Sequence, residues 1–272
     1  MRKINYFTLA FVCFQITAYS QTVPYPDEGP AVFVFRILSV GEAQRDAFVA
    51  CLAKSDLPFW RDLKKTGLLA KVSVFETTSV DSPKPGVPAW DFVISSEIAQ
   101  DATADSFLPG VGKRKGCDSG PGIELRRIET LKTTPNTHYA RATVEGDRIA
   151  REKNVEFRIE YIAVDPAKLD RWNEVYSMIG GPGMGLRIRD GLYFSIDVLL
   201  TVKVNYSQPG MPDWNTIHVL GGFPESARGA VAGVIPPEVS PAAYAAAIAP
   251  LNPFATIPSE GRVRQLFELA VR

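Results

Sequence analysis

One segment of this chain is written twice. Residues 67–95 laid on residues 191–219, at a constant offset of 124 and without a gap, agree at nine of 29 positions. Gly67-Leu68 matches Gly191-Leu192, Val74 matches Val198, Thr77 matches Thr201 and Val80 matches Val204. The pattern Pro85-Gly86-x-Pro88-x-Trp90 returns as Pro209-Gly210-x-Pro212-x-Trp214. A second identity, Phe35-Arg36-Ile37 on Phe157-Arg158-Ile159, lies at an offset of 122 and predicts a two-residue length change in the segment after it. A period this long means that each copy is a supersecondary unit of its own, so the repeat bounds the fold before any single element is placed.

Each copy reads in the same order. An alternating strand opens it, at 31–38 and at 155–162, where Val155, Phe157, Ile159 and Tyr161 recur with period two. A helix comes second. Ala47, Phe48, Cys51 and Leu52 mark it in the first copy; in the second, Asp165 stands at the N-cap and Pro166 at the first helical position, ahead of a stripe of Leu169, Trp172, Tyr176 and Ile179. Two strands joined by the Pro-Gly turns come next, at 69–78 and 90–97, then at 193–204 and 214–220. A second helix is predicted at 100–107 and at 242–249, where Ser240 and Pro241 mark the start. Closing strands are expected at 124–131 and 263–271, the latter readable as a helix as well. Residues 133–154 between the copies are polar and read as a linker, which gives copies at 21–132 and 155–272.

This β-α-β-β-α-β order is that of the ferredoxin-like split βαβ unit. The chain thereby resembles the dimeric α+β barrel superfamily, over about residues 30–272. The resemblance implies an α+β fold of two tandem ferredoxin-like βαββαβ repeats, with four-stranded antiparallel sheets packed face to face as a barrel. That superfamily holds cofactor-free monooxygenases, haem-binding enzymes and ligand-binding stress proteins, so the fold alone selects no activity.

Compartment is read from the first residues. Met1-Arg2-Lys3 is followed by an uncharged stretch to Thr17 and by Ala18-Tyr19-Ser20, the layout of a cleavable signal peptide with cleavage expected between Ser20 and Gln21. This implies a periplasmic or secreted destination, with no membrane span after cleavage. Loss of residues 1–20 takes away Arg2 and Lys3 and no acid, leaving 28 Lys plus Arg against 30 Asp plus Glu. So balanced a charge argues against nucleic acid or an anionic membrane as partner. A small molecule is the expected partner, and the chain itself a monomer or weak homodimer. An oxidising compartment permits a Cys51–Cys117 disulfide, although Cys51 also fits its helix stripe as a small hydrophobe.

Candidate ligand-binding residues are Arg36, Trp90, Arg158, Trp214 and His218. If Phe33, Phe35 and Ile37 pack beneath helices, Arg36 turns into the barrel, and Arg158 does the same in the second copy. A buried guanidinium needs a ligand carboxylate or a fixed acid such as Glu76 or Glu160. Alternation puts Trp214, Thr216 and His218 on one face, and Trp90, Phe92 and Ile94 on another. His218, one of two histidines beside His138 in the linker, is the candidate catalytic group. Neither residue has partners at a metal-binding spacing, and no cofactor or metal is expected. Gly180-Gly181-Pro182-Gly183-Met184-Gly185 comes after a helix, where a phosphate-cradling loop would come after a strand, and reads as a helix-ending loop. Lys113-Arg114-Lys115 with Arg126 and Arg127 reads as a solvated basic patch. The function expected is binding of a small organic molecule in the barrel cavity. A cofactor-free oxygenase or isomerase, and a structural or interaction module, are the alternatives.

Overall fold

A computed structural model describes residues 31–80, 86–99, 102–104, 107, 116–139, 156–175, 193–222 and 253–269. Eight strands close into one antiparallel barrel: β1 (Val32–Val40), β2 (Leu69–Val80), β3 (Phe92–Ile98), β4 (Ile123–Tyr139), β5 (Glu156–Val164), β6 (Tyr193–Ser207), β7 (Thr216–Gly222) and β8 (Ala255–Leu269). Around the barrel the order is β1-β3-β2-β8-β5-β7-β6-β4. The first half therefore contributes β4-β1-β3-β2 and the second β8-β5-β7-β6, and the β2–β8 and β4–β6 ladders seal the two seams. Closure leaves no strand edge unpaired.

The turns explain why both halves pair alike. Gly86 and Gly210 adopt φ of +83° and +87°, a region open to glycine because it has no Cβ. After each turn the chain makes the same bonds. Asp91 N–H donates to Leu38 O (2.8 Å) and Asn215 N–H to Ile162 O (3.1 Å). Thr77 N–H reaches Asp91 O (2.8 Å), as Thr201 N–H reaches Asn215 O (2.9 Å). The Asp91 side chain accepts from Val40 N–H at 2.8 Å, the Asn215 side chain from Val164 N–H at 2.9 Å. These bonds keep the offset of 124 through β1 and β5, because Leu38 pairs with Phe92 and Ile162 with Thr216. No two-residue length change occurs between them. Arg36 answers in register to Glu160, and the Phe-Arg-Ile identity at 122 does not join equivalent positions.

The helical layer is best described over the first half. A 3-10 turn (Glu42–Gln44), α1 (Arg45–Cys51), a π turn (Leu52–Asp56) and α2 (Leu57–Lys65) run without a break. They bury Phe48, Leu52 and Trp60 on Val34, Leu38, Val72, Val74, Phe92 and Ile94 of the sheet. In the second half Asp165 caps as expected, its carboxylate accepting from Ala167 N–H at 2.9 Å ahead of a 3-10 turn (Pro166–Lys168) and α3 (Leu169–Val175). Tyr176, Ile179, the 180–185 loop, Lys113–Lys115, the 242–249 segment and residues 1–30 lie outside the described residues, as do residues 100, 101, 105 and 106 of the predicted 100–107 helix. The two closing strands are longer than expected. β4 continues through residues 133–139, which read as linker, and His138 pairs in register with Asp197 of β6. β8 is a strand, beginning eight residues earlier than its alternation suggested, at Ala255.

Candidate functional site

Apart from the Arg36–Asp118 pair of the first half, two clusters of buried polar groups stand out, one inside the barrel and one on the outer face of the second sheet. Inside, Phe33, Phe35, Ile37, Phe75, Val93, Phe157, Ile159, Leu199, Ile217 and Val219 pack with Trp90, Tyr161 and Trp214 into a single core. This overturns the expected orientation of β1 and β5. Phe33, Phe35 and Ile37 point into the barrel, so Arg36 points out. Both faces of β1 are buried, so its alternation alone could not tell inside from outside.

Trp90 and Trp214 also depart from the parity expected of them. Pairing begins at Phe92 and Thr216, and the irregular residues before those positions let each indole turn inward while Phe92, Ile94, Thr216 and His218 face out. The two indoles flank Tyr161, with ring centroids at 5.4 Å for Trp90 and 4.5 Å for Trp214. Each reaches the other half of the chain. Trp90 Nε1–H donates to Ser259 Oγ of β8 at 2.9 Å, and its ring lies 3.0 Å from where a Cβ would stand on Gly261. Trp214 Nε1–H donates to Glu129 Oε1 of β4 at 2.9 Å.

Glu129 is wholly buried, with Arg127 beside it at 3.3 Å and Thr201 Oγ1–H donating at 3.1 Å. The Arg127 guanidinium lies 4.0 Å over the Trp214 ring and donates to Trp214 O at 3.2 Å. Burial pushes the Glu129 carboxyl above its ordinary range, against the opposing pull of Arg127, Trp214 and Thr201. Burial, reinforced by the Glu129 charge, holds the Tyr161 phenol well above its usual value, and its hydroxyl has no hydrogen-bond partner among the described residues. Arg127, read with Arg126 as part of a solvated patch, is therefore an interior residue. Period two over Arg127, Glu129 and Leu131 was the signal that could have found this cluster, had the charged pair not argued for solvent.

The outer face of the second sheet carries the other group. Glu160 of β5 stands opposite His218 of β7 on one side and Glu260 of β8 on the other. His218 Nδ1 lies 3.3 Å from Glu160 Oε2. Arg158 binds Glu160 Oε1 through Nε at 3.2 Å and pairs with Glu260 through its terminal nitrogen. One guanidinium thus holds two carboxylates together, and the imidazole holds one of them from the far side. Burial works against ionisation of Glu160, but the hydrogen bond and charge of His218 and the charge of Arg158 outweigh it, leaving the carboxyl below its ordinary range. Thr216, on the same face two residues from His218, is fully buried and its hydroxyl has no hydrogen-bond partner among the described residues. Among the described residues no three His, Cys, Asp or Glu side chains are arranged to hold a metal, and no helix is long and apolar enough to cross a membrane.

The five expected site residues accordingly divide three ways. Trp90 and Trp214 meet at Tyr161 inside the barrel. Arg158 and His218 meet at Glu160 outside it. Arg36 joins neither: buried under the helices of the first half, it pairs with Asp118 at 2.8 Å. Cys51 and Cys117 form a disulfide.

No family model and no curated protein matches the chain. Solved structures to which it is similar include an anthrone oxidase-like protein (11% identity, TM-score 0.49, 91% of this chain and 99% of that one). Others are a dye-decolorizing protein from V. cholerae (11%, TM-score 0.49, 90% and 96%) and a chlorite dismutase from Candidatus Nitrospira defluvii (9%, TM-score 0.43, 86% and 90%). At these TM-scores the superpositions are loose, and the description of the fold as a closed α+β barrel rests on the strand order itself.

Proposed function

We propose that this is an exported, tandem-duplicated α+β barrel that binds a small organic molecule on the outer face of its second sheet. The carrying observation is a substitution of chemistry at equivalent register: where the first half sets Phe92 and Ile94 beneath its helices, the second sets Thr216 and His218, with Glu160 behind the imidazole. A fully buried, unpartnered hydroxyl is costly to a core and useful to a ligand. The barrel interior, packed with aromatic and branched side chains, is the poorer candidate. Duplication is supported by the matched hydrogen bonds of Asp91 and Asn215, and export by the disulfide together with the signal-like first residues.

An enzymatic reading draws on the same dyad. In the tautomer whose Nδ1–H donates to Glu160, Nε2 carries the ring's lone pair, the arrangement of a general base oriented by a carboxylate. Native mass spectrometry of residues 21–272, purified without denaturation, tests the binding reading; a retained mass released on unfolding is the expected result. His218→Ala and Thr216→Val should weaken its retention while Trp90→Phe leaves it intact. Retention unchanged in both outer-face variants would remove the site from this face. Loss of turnover in His218→Ala, with retention kept, would favour the enzyme.

A further inference from the structure

Arg36 lies on the outer face of β1, opposite Ile94 of β3 and Ile128 of β4, within the apolar layer beneath α1 and α2. Its side chain is 4% exposed and forms an ion pair with Asp118. A guanidinium buried so far depends on that carboxylate, because removing one member of a buried pair leaves an uncompensated charge. Asp118 comes from a short 3-10 turn, Cys117–Ser119, whose own hydrogen bonds, Ser119 N–H and Oγ–H to Gly116 O, are internal to it. The turn packs on the π turn and runs on into β4, and two specific links bind it to the first half's helical layer: the Asp118–Arg36 pair and the disulfide from Cys117 to Cys51, the last residue of α1. Gly116 adds a steric condition. A Cβ there would come within 2.8 Å of Asp118 Oδ1, and Asp56 at the end of the π turn lies 3.6 Å away on the other side.

We propose that the Cys51–Cys117 disulfide is a redox-sensitive clamp. While oxidised, it holds Asp118 on Arg36 and so keeps the first half's helical layer seated; reduction releases the turn and opens that layer while the barrel stays closed. The chemistry is ordinary thiol–disulfide exchange. An external thiolate attacks Sγ of Cys51, the less buried of the two residues, and Cys117 Sγ leaves and takes a proton. A second external thiol then resolves the mixed disulfide, so that two thiols become one disulfide as the protein disulfide becomes two thiols. The eight strand ladders do not pass through either sulfur, which is why the opening is local.

The test is a cycle between reduction and the Arg36 charge, read on the full mature chain by urea unfolding and by hydrogen exchange with and without dithiothreitol. Reduction should raise the unfolding constant of the wild type ~10-fold more than that of Arg36→Met, which keeps the side-chain length without the charge. Exchange should rise over residues 116–122 and 45–56 before global unfolding. Oxidised Asp118→Asn and Gly116→Ala should show the same local exchange with the disulfide intact. An equal cost of reduction in wild type and Arg36→Met, or unaltered exchange in oxidised Asp118→Asn, would reduce the bridge to a simple chain constraint and overturn the clamp. Should the reduced wild type fail to fold, recovery by Arg36→Met in the reduced state supports it, and failure of both overturns it.

Discussion

The outer faces of the two sheets occupy the same register and are put to different uses. Beneath the helices of the first half, Phe92 lies edge-on to Phe48 with ring centroids 4.8 Å apart, and Ile94, Leu38 and Val74 complete an apolar layer. In the second half the positions of Phe92 and Ile94 hold Thr216 and His218, with the Arg158–Glu160–Glu260 row alongside. The barrel obtains its closure from both halves equally through the two seams. One face is mostly apolar, with Arg36 as its buried charge, while the other carries several polar groups that cost stability.

Substitutions at matched positions test that contrast, the largest effect first. Phe92→Ala should destabilise the protein by about 3–5 kcal/mol in urea denaturation, the range for emptying a buried aromatic site. Gly261→Ala, which presses a methyl on the Trp90 ring and on Ser79 O at 3.0 Å each, should cost about 1–3 kcal/mol. Thr216→Val should instead stabilise the unliganded protein by about 1 kcal/mol, since it removes a buried hydroxyl without a partner. A loss there would mean that the hydroxyl is satisfied in solution and the two faces are less different than drawn.

The smallest and most specific contrast is in pH dependence. Glu160 has a lowered folded-state pKa, so its contribution is present above the unfolded value of 4.5 and is lost as pH falls below it. Glu129 is raised, so its contribution is full below 4.5 and is lost as pH climbs through the folded value. Measured against wild type, Glu160→Gln should close its stability gap as pH falls under 4.5. Glu129→Gln should gain on wild type as pH rises above it. Slopes of the same sign would show that one of the two carboxylates is not held as described.

Much of the barrel could be read from residues alone. The repeated Pro-Gly-x-Pro-x-Trp segment located both hairpins, because a glycine at positive φ and a tight connection after it leave few alternatives. Asp165-Pro166 located a helix start for equally local reasons. What could not be read depends on which side of a strand is inside. In β1 both faces are apolar, so the Arg36 facing was ambiguous and went the wrong way. Trp90 and Trp214 precede their strands, where period two does not hold. The Arg127–Glu129 pair was invisible because charge argues for solvent until a partner, here Trp214 from 85 residues on, is known to be near.

The seam between β2 and β8 has a consequence for how the molecule is made. Its ladder joins the second strand to the eighth: Gln265 reaches Ser73 across a separation of 192 residues. Contacts that distant in sequence form late, after the loop entropy of everything between has been met. Until β8 arrives, β2 presents an open edge, the kind of surface that recruits a neighbouring chain. A ribosome therefore releases the stave that closes this seam after the other seven.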